Sequence, residues 1–282
     1  MKTAIVVDSG SNIYNETIEK DGLFSVPLQL TYEGNSYKES IEITNEQVNT
    51  LMQDGVLIQT SLPSLGEISD LFEQIKKDGY DQIFAVPITS GLSSTLGAMK
   101  TAAQLVDIPF DYIDCFTTMH IQLLVALRAH DLFKQGKTND EVKKNLNEMI
   151  DRSETIIIPD NLDHLSKGGR LSPLAAKLGG LLRIKPILHL NRETKGVIEA
   201  LDKVRTMTRA IDEVIKRMKK AGVDEHYQIT FTHVMAEKEA EQTIKKMKET
   251  FPHTKIVERD LITTVSAHVG IGAIAFQYIY LG

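Results

Sequence analysis

Gln82-Ile83-Phe84-Ala85-Val86-Pro87 runs through Ile88-Thr89 into Ser90-Gly91-Leu92-Ser93-Ser94-Thr95, and apolar residues three or four apart then continue to Val106. A short apolar run, a hydroxyl-rich turn and a helical period are the first two-thirds of a βαβ unit. The pattern extends outward in both directions. Strand-like runs are predicted at Thr3 to Val7, Ser25 to Thr31, Phe110 to Asp114, Thr155 to Ile158, Gln228 to His233 and Ile256 to Asp260, with helical periods over Ile43 to Met52, Leu65 to Lys77, Thr117 to Gln135 and Asn139 to Asp151. Alternation of this kind gives a parallel sheet with right-handed crossovers. Ile187 to Leu190 and Val197 to Leu201 break the rule, because Asn191-Arg192-Glu193-Thr194-Lys195-Gly196 is too short for a crossover and reads as an antiparallel hairpin. The expected fold is α/β in two domains: residues 1–152 with a three-layer parallel sheet, and residues 153–282 with a two-layer mixed sheet.

Thr60-Ser61-Leu62-Pro63-Ser64 is a second hydroxyl turn placed, like Ser90 to Thr95, where a strand-like run meets a helical one. In an open parallel sheet ligands gather outside the carboxyl ends of the strands, where N–H groups and helix N-termini favour anions. Two converging hydroxyl loops can therefore hold a carboxylate or phosphate. The competing reading is plain helix capping, and Ser64 with Glu67 has the spacing of a capping box.

The 282 residues carry a net charge of −6 and one cysteine, Cys115, so no internal disulfide framework exists. Met1 to Val7 reaches Asp8 before a signal-peptide apolar region forms, which leads to the expectation of a cytoplasmic protein. No run of about 18 apolar residues is present to span a bilayer, and the acidic balance argues against non-specific nucleic-acid binding. The eight histidines lack metal-ligand spacing. Neither a P-loop nor an H-E-x-x-H motif occurs. Gly270-Ile271-Gly272-Ala273-Ile274-Ala275 matches the dinucleotide fingerprint in letters. The sequence to Gly282 leaves no room for the second strand and its acidic residue, so the glycines are read as letting a final helix start close to the hydroxyl site.

The chain resembles the DegV family of bacterial proteins. The resemblance is carried by Asp8-Ser9, Thr60-Ser61-Leu62-Pro63-Ser64, Ser90-Gly91-Leu92-Ser93, Lys167-Gly168-Gly169-Arg170, Ile184-Lys185-Pro186-Ile187, Lys203-Val204-Arg205-Thr206 and Ala267-His268-Val269-Gly270, in this order along the whole chain. Gly10 and Leu62 depart from the family's usual Thr and Gln. The resemblance implies a protein that binds a long-chain fatty acid and presents it to a separate ATP-dependent kinase subunit, with no catalytic residue, metal or cofactor of its own; the composition leaves only transient contact with a membrane. It also implies that His268 helps to hold the fatty-acid carboxylate. From the residues alone, His268 is equally a satisfied loop histidine, in a polar segment after the strand ending at Asp260.

The head-group set expected on this basis is Thr60, Ser61, Ser93, Ser94 and His268. Leu174, Leu178, Leu181 and Ile187 are candidates for an acyl pocket, although an apolar stripe at this spacing is also ordinary core. Arg170 and Arg205 suit a rim where a partner docks. Two other functions stay open. Gly91-Leu92-Ser93-Ser94-Thr95 is close to a nucleophile elbow, so Ser93 or Ser61 could serve a hydrolase or transferase with His268 and Asp260 as nominal partners. A sugar-phosphate binder is the other, since the family's fold is similar to that of dihydroxyacetone kinases.

Overall fold

The computed structural model describes the chain apart from residues 17, 19, 168 and 172–183. Its first half contains β1 (Thr3–Asp8), β2 (Leu23–Val26), β3 (Gln29–Tyr32), β4 (Asn35–Lys38), α1 (Asn45–Gln53), β5 (Gln59–Ser61), α2 (Leu65–Lys77), β6 (Gln82–Val86), α3 (Thr95–Val106), β7 (Phe110–Tyr112), α4 (Met119–Lys134) and α5 (Asn139–Asp151). Its second half contains β8 (Ser153–Ile158), α6 (Leu162–Lys167), β9 (Lys185–Leu190), β10 (Glu199–Val204), α7 (Met207–Lys220), β11 (Tyr227–His233), α8 (Glu237–Thr250), β12 (Lys255–Glu258), α9 (Thr263–Val269) and β13 (Ile274–Tyr280).

The first sheet has the order β2-β1-β6-β7 and is parallel throughout. Side chains alternate across a strand, and both faces of this sheet are covered. Ala4 and Val6 pack with Ile68, Phe72 and Met99 of α2 and α3, whereas Ile5 and Val7 pack with Val125 and Leu146 of α4 and α5. The three expected layers follow from that burial.

The run predicted as one strand from Ser25 to Thr31 divides. Pro27, which has no N–H for a ladder, separates β2 from β3, and β3 joins β4 and β5 in a small antiparallel sheet of order β4-β3-β5. This small sheet and α1 pack on α9 through Leu30, Ile43, Val48, Ile58 and Ala267.

The second sheet has the order β10-β9-β8-β13-β11-β12. Only β11 and β12 pair in parallel, and the expected β9–β10 hairpin is antiparallel. Helices α7 and α8 cover one face around Ile156, Ile229, Phe231 and Phe276. The opposite face turns toward the first sheet. Two expectations are corrected here. Ile274 to Tyr280 is a central strand and not a final helix, because a strand buried on both faces reads as an unbroken apolar run without a period of two. The glycines before it serve a tight turn: Gly270 and Gly272 have φ of +79° and +80°, and an added Cβ would lie 2.9 Å from the His164 ring and 2.8 Å from Asp160 Cβ. The segment carrying His268 is the helix α9 and not a polar loop.

The two halves meet through polar groups as well as apolar packing. Gln277 of β13 donates to the Thr118 carbonyl and to Thr155 Oγ1, each at 2.8 Å, and its Oε1 accepts from the Ile121 N–H at 3.3 Å. That N–H is one of the donors that the first turn of α4 leaves without a helical partner, and the N-cap Thr118 makes no side-chain cap bond there.

On the helix-covered side of the second sheet, Glu154 is 1% exposed and accepts from Arg217 Nε and Nη2, His189 Nδ1, Tyr278 OH and Asn191 Nδ2. Burial opposes its charge, but the bonds from His189 and Arg217, the Arg217 charge and the Tyr278 hydroxyl prevail and bring its pKa down from 4.5 to about 2. The unfolded chain therefore takes up this proton first, so the stability from Glu154 is present above pH 4.5 and is lost as the pH falls toward 2. Glu154→Gln is expected to lower stability at pH 7 by about 3 kcal/mol and to flatten the acid limb of stability against pH, measured by denaturant unfolding at successive pH values. An unchanged acid limb would contradict the assignment.

Candidate functional site

The carboxyl ends of β1 and β6 open toward the second sheet, and the hydroxyl turn after β6 is held there by its backbone. Leu92 and Ser93 N–H both bond the Thr89 carbonyl, Thr89 N–H bonds the Thr117 carbonyl, and Ser90 N–H donates to Asp114 Oδ2 at 3.0 Å. Asp8, at the end of β1, accepts from the Ile88 N–H at 2.6 Å, from Gly10 N–H and from Gln122. Burial pushes the Asp8 carboxyl up to about 7 against these three donors.

Gly91 sits backbone to backbone against the β9–β10 turn. An added Cβ would lie 2.3 Å from the Gly196 carbonyl carbon and 2.7 Å from Val197 N. The first domain's hydroxyl turn thus rests directly on the second domain's hairpin.

Capping explains part of the hydroxyl content. Ser64 Oγ accepts from the Glu67 N–H and caps α2. Ser93 Oγ exchanges a bond with Thr95 Oγ1 at 2.8 Å and accepts weakly from the Thr95 N–H. Ser94, at the N-cap of α3, makes no side-chain cap bond. Thr60 and Ser61, both on β5, precede the α2 cap and are not themselves helix caps.

Thr60, Ser61, Ser93, Ser94 and His268 all line one cavity of about 400 Å³ between the two sheets, within the range of about 300–1,000 Å³ usual for small-molecule sites. His268 Nε2 lies 2.7 Å from Thr60 Oγ1. Burial lowers the His268 pKa to about 4, with the positive charge of Arg170 and the neighbouring His164 adding to the effect, so the imidazole is neutral at pH 7. His164 Nε2 in turn reaches the Ala267 carbonyl at 2.9 Å and ties α6 to α9. Among the described residues His268 forms no ion pair with a carboxylate, and the partner of its Nε2 is the Thr60 hydroxyl. Among the described residues no group of three or more His, Cys, Asp or Glu is placed to hold a metal ion.

Away from the hydroxyls the wall is apolar, with Leu28, Ile88, Met119, Ile157, Leu190 and Ile198 among its residues. Ile187, expected in this wall, is corrected: it points to the other face of the second sheet and packs with Ile156 and Val214 under α7. Its neighbours of opposite parity face the first domain, Leu188 in the apolar packing behind the cavity and Leu190 in the wall itself. Leu174, Leu178 and Leu181 lie outside the described residues. Arg170 is half-buried and contributes to the cavity wall, closer to a ligand than a rim position implies. Arg205 is exposed between β10 and α7, away from the cavity.

A parallel three-layer sheet, a mixed sheet and a cavity between them lined by hydroxyls and aliphatic side chains define a two-domain α/β fold with a ligand-sized chamber. Residues 2–281 match the model described as "Uncharacterised protein, DegV family", and the chain belongs to the DegV family. Protein DegV of Bacillus subtilis (strain 168) is 30% identical over 288 residues, covering 99% of this chain and 100% of that one. The crystal structure of a fatty acid binding DegV family protein from Streptococcus agalactiae matches with a TM-score of 0.88 at 27% identity, over 99% of both chains. That of DegV, a fatty acid binding protein from Bacillus subtilis, matches with a TM-score of 0.87 at 29% identity, also over 99% of both.

Gly91→Ala is expected to lower stability by about 1–3 kcal/mol, because backbone on the far side cannot yield as a side-chain tip would. Chemical denaturation measures this, and a variant as stable as the parent would show that the turn does not rest on the hairpin.

Proposed function

We propose that this protein binds a long-chain fatty acid in the cavity between its domains, 1–152 and 153–282, with the carboxylate among Thr60, Ser61, Ser93, Ser94 and His268 and the tail along the apolar wall. The observation that carries the reading is the lining of the cavity: the hydroxyls of Thr60, Ser61, Ser93 and Ser94 and the His268 imidazole share one cavity with Leu28, Ile88, Met119, Ile157, Leu190 and Ile198. The fatty-acid binding named for the Streptococcus agalactiae and Bacillus subtilis structures supports it.

About 14 methylenes at roughly 0.8 kcal/mol each set an upper bound near 11 kcal/mol for the tail, whereas each bond to the carboxylate contributes about 1.5 to 3 kcal/mol before desolvation. The tail supplies most of the affinity and the head sets orientation. The protein acts as a carrier in the cytoplasm without catalysing a reaction alone. A separate kinase subunit transfers the γ-phosphoryl group of ATP to a carboxylate oxygen, a new P–O bond forming as ADP leaves, and Arg205 and Arg170 meet that partner. Contact with a membrane is transient; among the described residues no helix is long and apolar enough to cross one.

Mass spectrometry of an organic extract from the purified protein is the direct test. A stoichiometric C14 to C18 acid is the expected result, and an empty cavity together with ester turnover would overturn the carrier reading. Ser93→Ala, Thr60→Val and His268→Ala should each weaken fatty-acid binding by about tenfold, the loss of one bond to a charged group. Kinase-coupled acyl-phosphate yield should fall further, because a misoriented carboxylate spoils the transfer geometry. Arg205→Ala should leave binding intact and reduce only the coupled yield. Wild-type values throughout the head-group variants would place the ligand elsewhere.

A further inference from the structure

Glu39 is wholly buried, at 0% exposure, just past β4 in the small sheet. Four donors converge on it. Oε1 accepts from the Thr264 N–H at 2.6 Å, Thr263 Oγ1 at 2.8 Å and Thr264 Oγ1 at 2.9 Å, while Oε2 accepts from Ser9 Oγ at 2.5 Å. Ser9 Oγ also accepts from the Leu28 N–H at 2.8 Å, and Leu28 lines the cavity. One carboxylate therefore joins the turn after β1, the small sheet and the first turn of α9. A buried carboxylate fully met by donors is rigid, and losing one oxygen acceptor leaves several donors unpaired at once.

The other end of α9 carries His268, bonded to Thr60 of the same small sheet, with Ala267 packed against Leu30 and Val48. The helix is thus fastened to the small sheet at both ends, and the one-turn spacing between Thr264 and His268 puts them on the same side, where both line the cavity. We propose that Glu39 is a positioning residue of the head-group site: it sets α9 so that His268 Nε2 stays on Thr60 Oγ1 and faces the cavity. The inference deepens the fatty-acid reading and rests on it for its ligand, though not for its geometry.

The test compares Glu39→Gln with the parent for binding of hexadecanoic acid and of 1-hexadecanol, which share a tail and differ in the head. A positioning role weakens the acid by about tenfold, the effect of one misplaced charge-assisted bond, and leaves the alcohol within about twofold. Acid and alcohol falling together, or neither falling while Thr60→Val weakens the acid, overturns the proposal. Should Glu39→Gln fail to fold, Thr263→Val removes one donor from the carboxylate at a buried position outside the cavity wall, and the same ratio of acid to alcohol decides. If the parent protein takes up neither compound, it is the fatty-acid reading that fails, and titration of His268 by NMR then decides alone. His268 should titrate near 4 in the parent and move toward 6.5 in the variant as α9 loosens; an unmoved titration overturns the role of Glu39.

Discussion

Gln277 satisfies groups from both halves of the molecule with one buried amide. Its donors go to the Thr118 carbonyl and Thr155, and its acceptor meets the Ile121 N–H at the start of α4. Buried polar groups left unpaired are costly, so this set of bonds exists only when the two sheets face each other in a single register. Thr118, Met119 and Thr155 are also cavity wall. The seam that joins the domains and the surface that would receive a ligand are consequently the same residues, and the cavity's shape is inherited from the seam.

Hydroxyls, an imidazole that stays neutral and an arginine left half-buried in the wall have a thermodynamic meaning. Fully desolvating a charge pair costs several kcal/mol per ion, which the attraction between the charges repays only with near-ideal geometry. With a fatty acid bound as proposed, the hydroxyls and the uncharged His268 would orient the carboxylate, Arg170 would add positive field from the wall, and most of the free energy would fall to the apolar surface. On the proposed reading, such a site holds the head in a fixed direction without sequestering it.

Much of this architecture is legible in the amino-acid order, for identifiable reasons. The strands β1, β6, β8 and β11 are buried on both faces and stand out as apolar runs between helical periods, and α2, α3 and α5 are bounded as the periodicity predicts. The small sheet is hidden because its strands are three or four residues long and only partly buried. The reversed reading of Ile187 shows how unforgiving strand parity is, since a shift of one residue exchanges the two faces. The hydroxyl turns are visible by composition and by the family resemblance. Glu39 is not visible at all: it lies in Asn35 to Ser40, a polar stretch that reads as solvent-exposed, and only the arrival of α9 from more than two hundred residues away buries it.

The position of β13 bears on how the molecule is assembled during synthesis. It follows the other described strands in chain order yet occupies the interior of the second sheet, between β8 and β11. Until it emerges, β8 and β11 each present an unpaired edge and Ile121 lacks its acceptor. Pairings between distant segments close slowly, and open edges invite association with other chains. The interval just before translation reaches Ile274 is therefore the one in which a nascent chain, with the edges of β8 and β11 still open, is most exposed to wrong pairing.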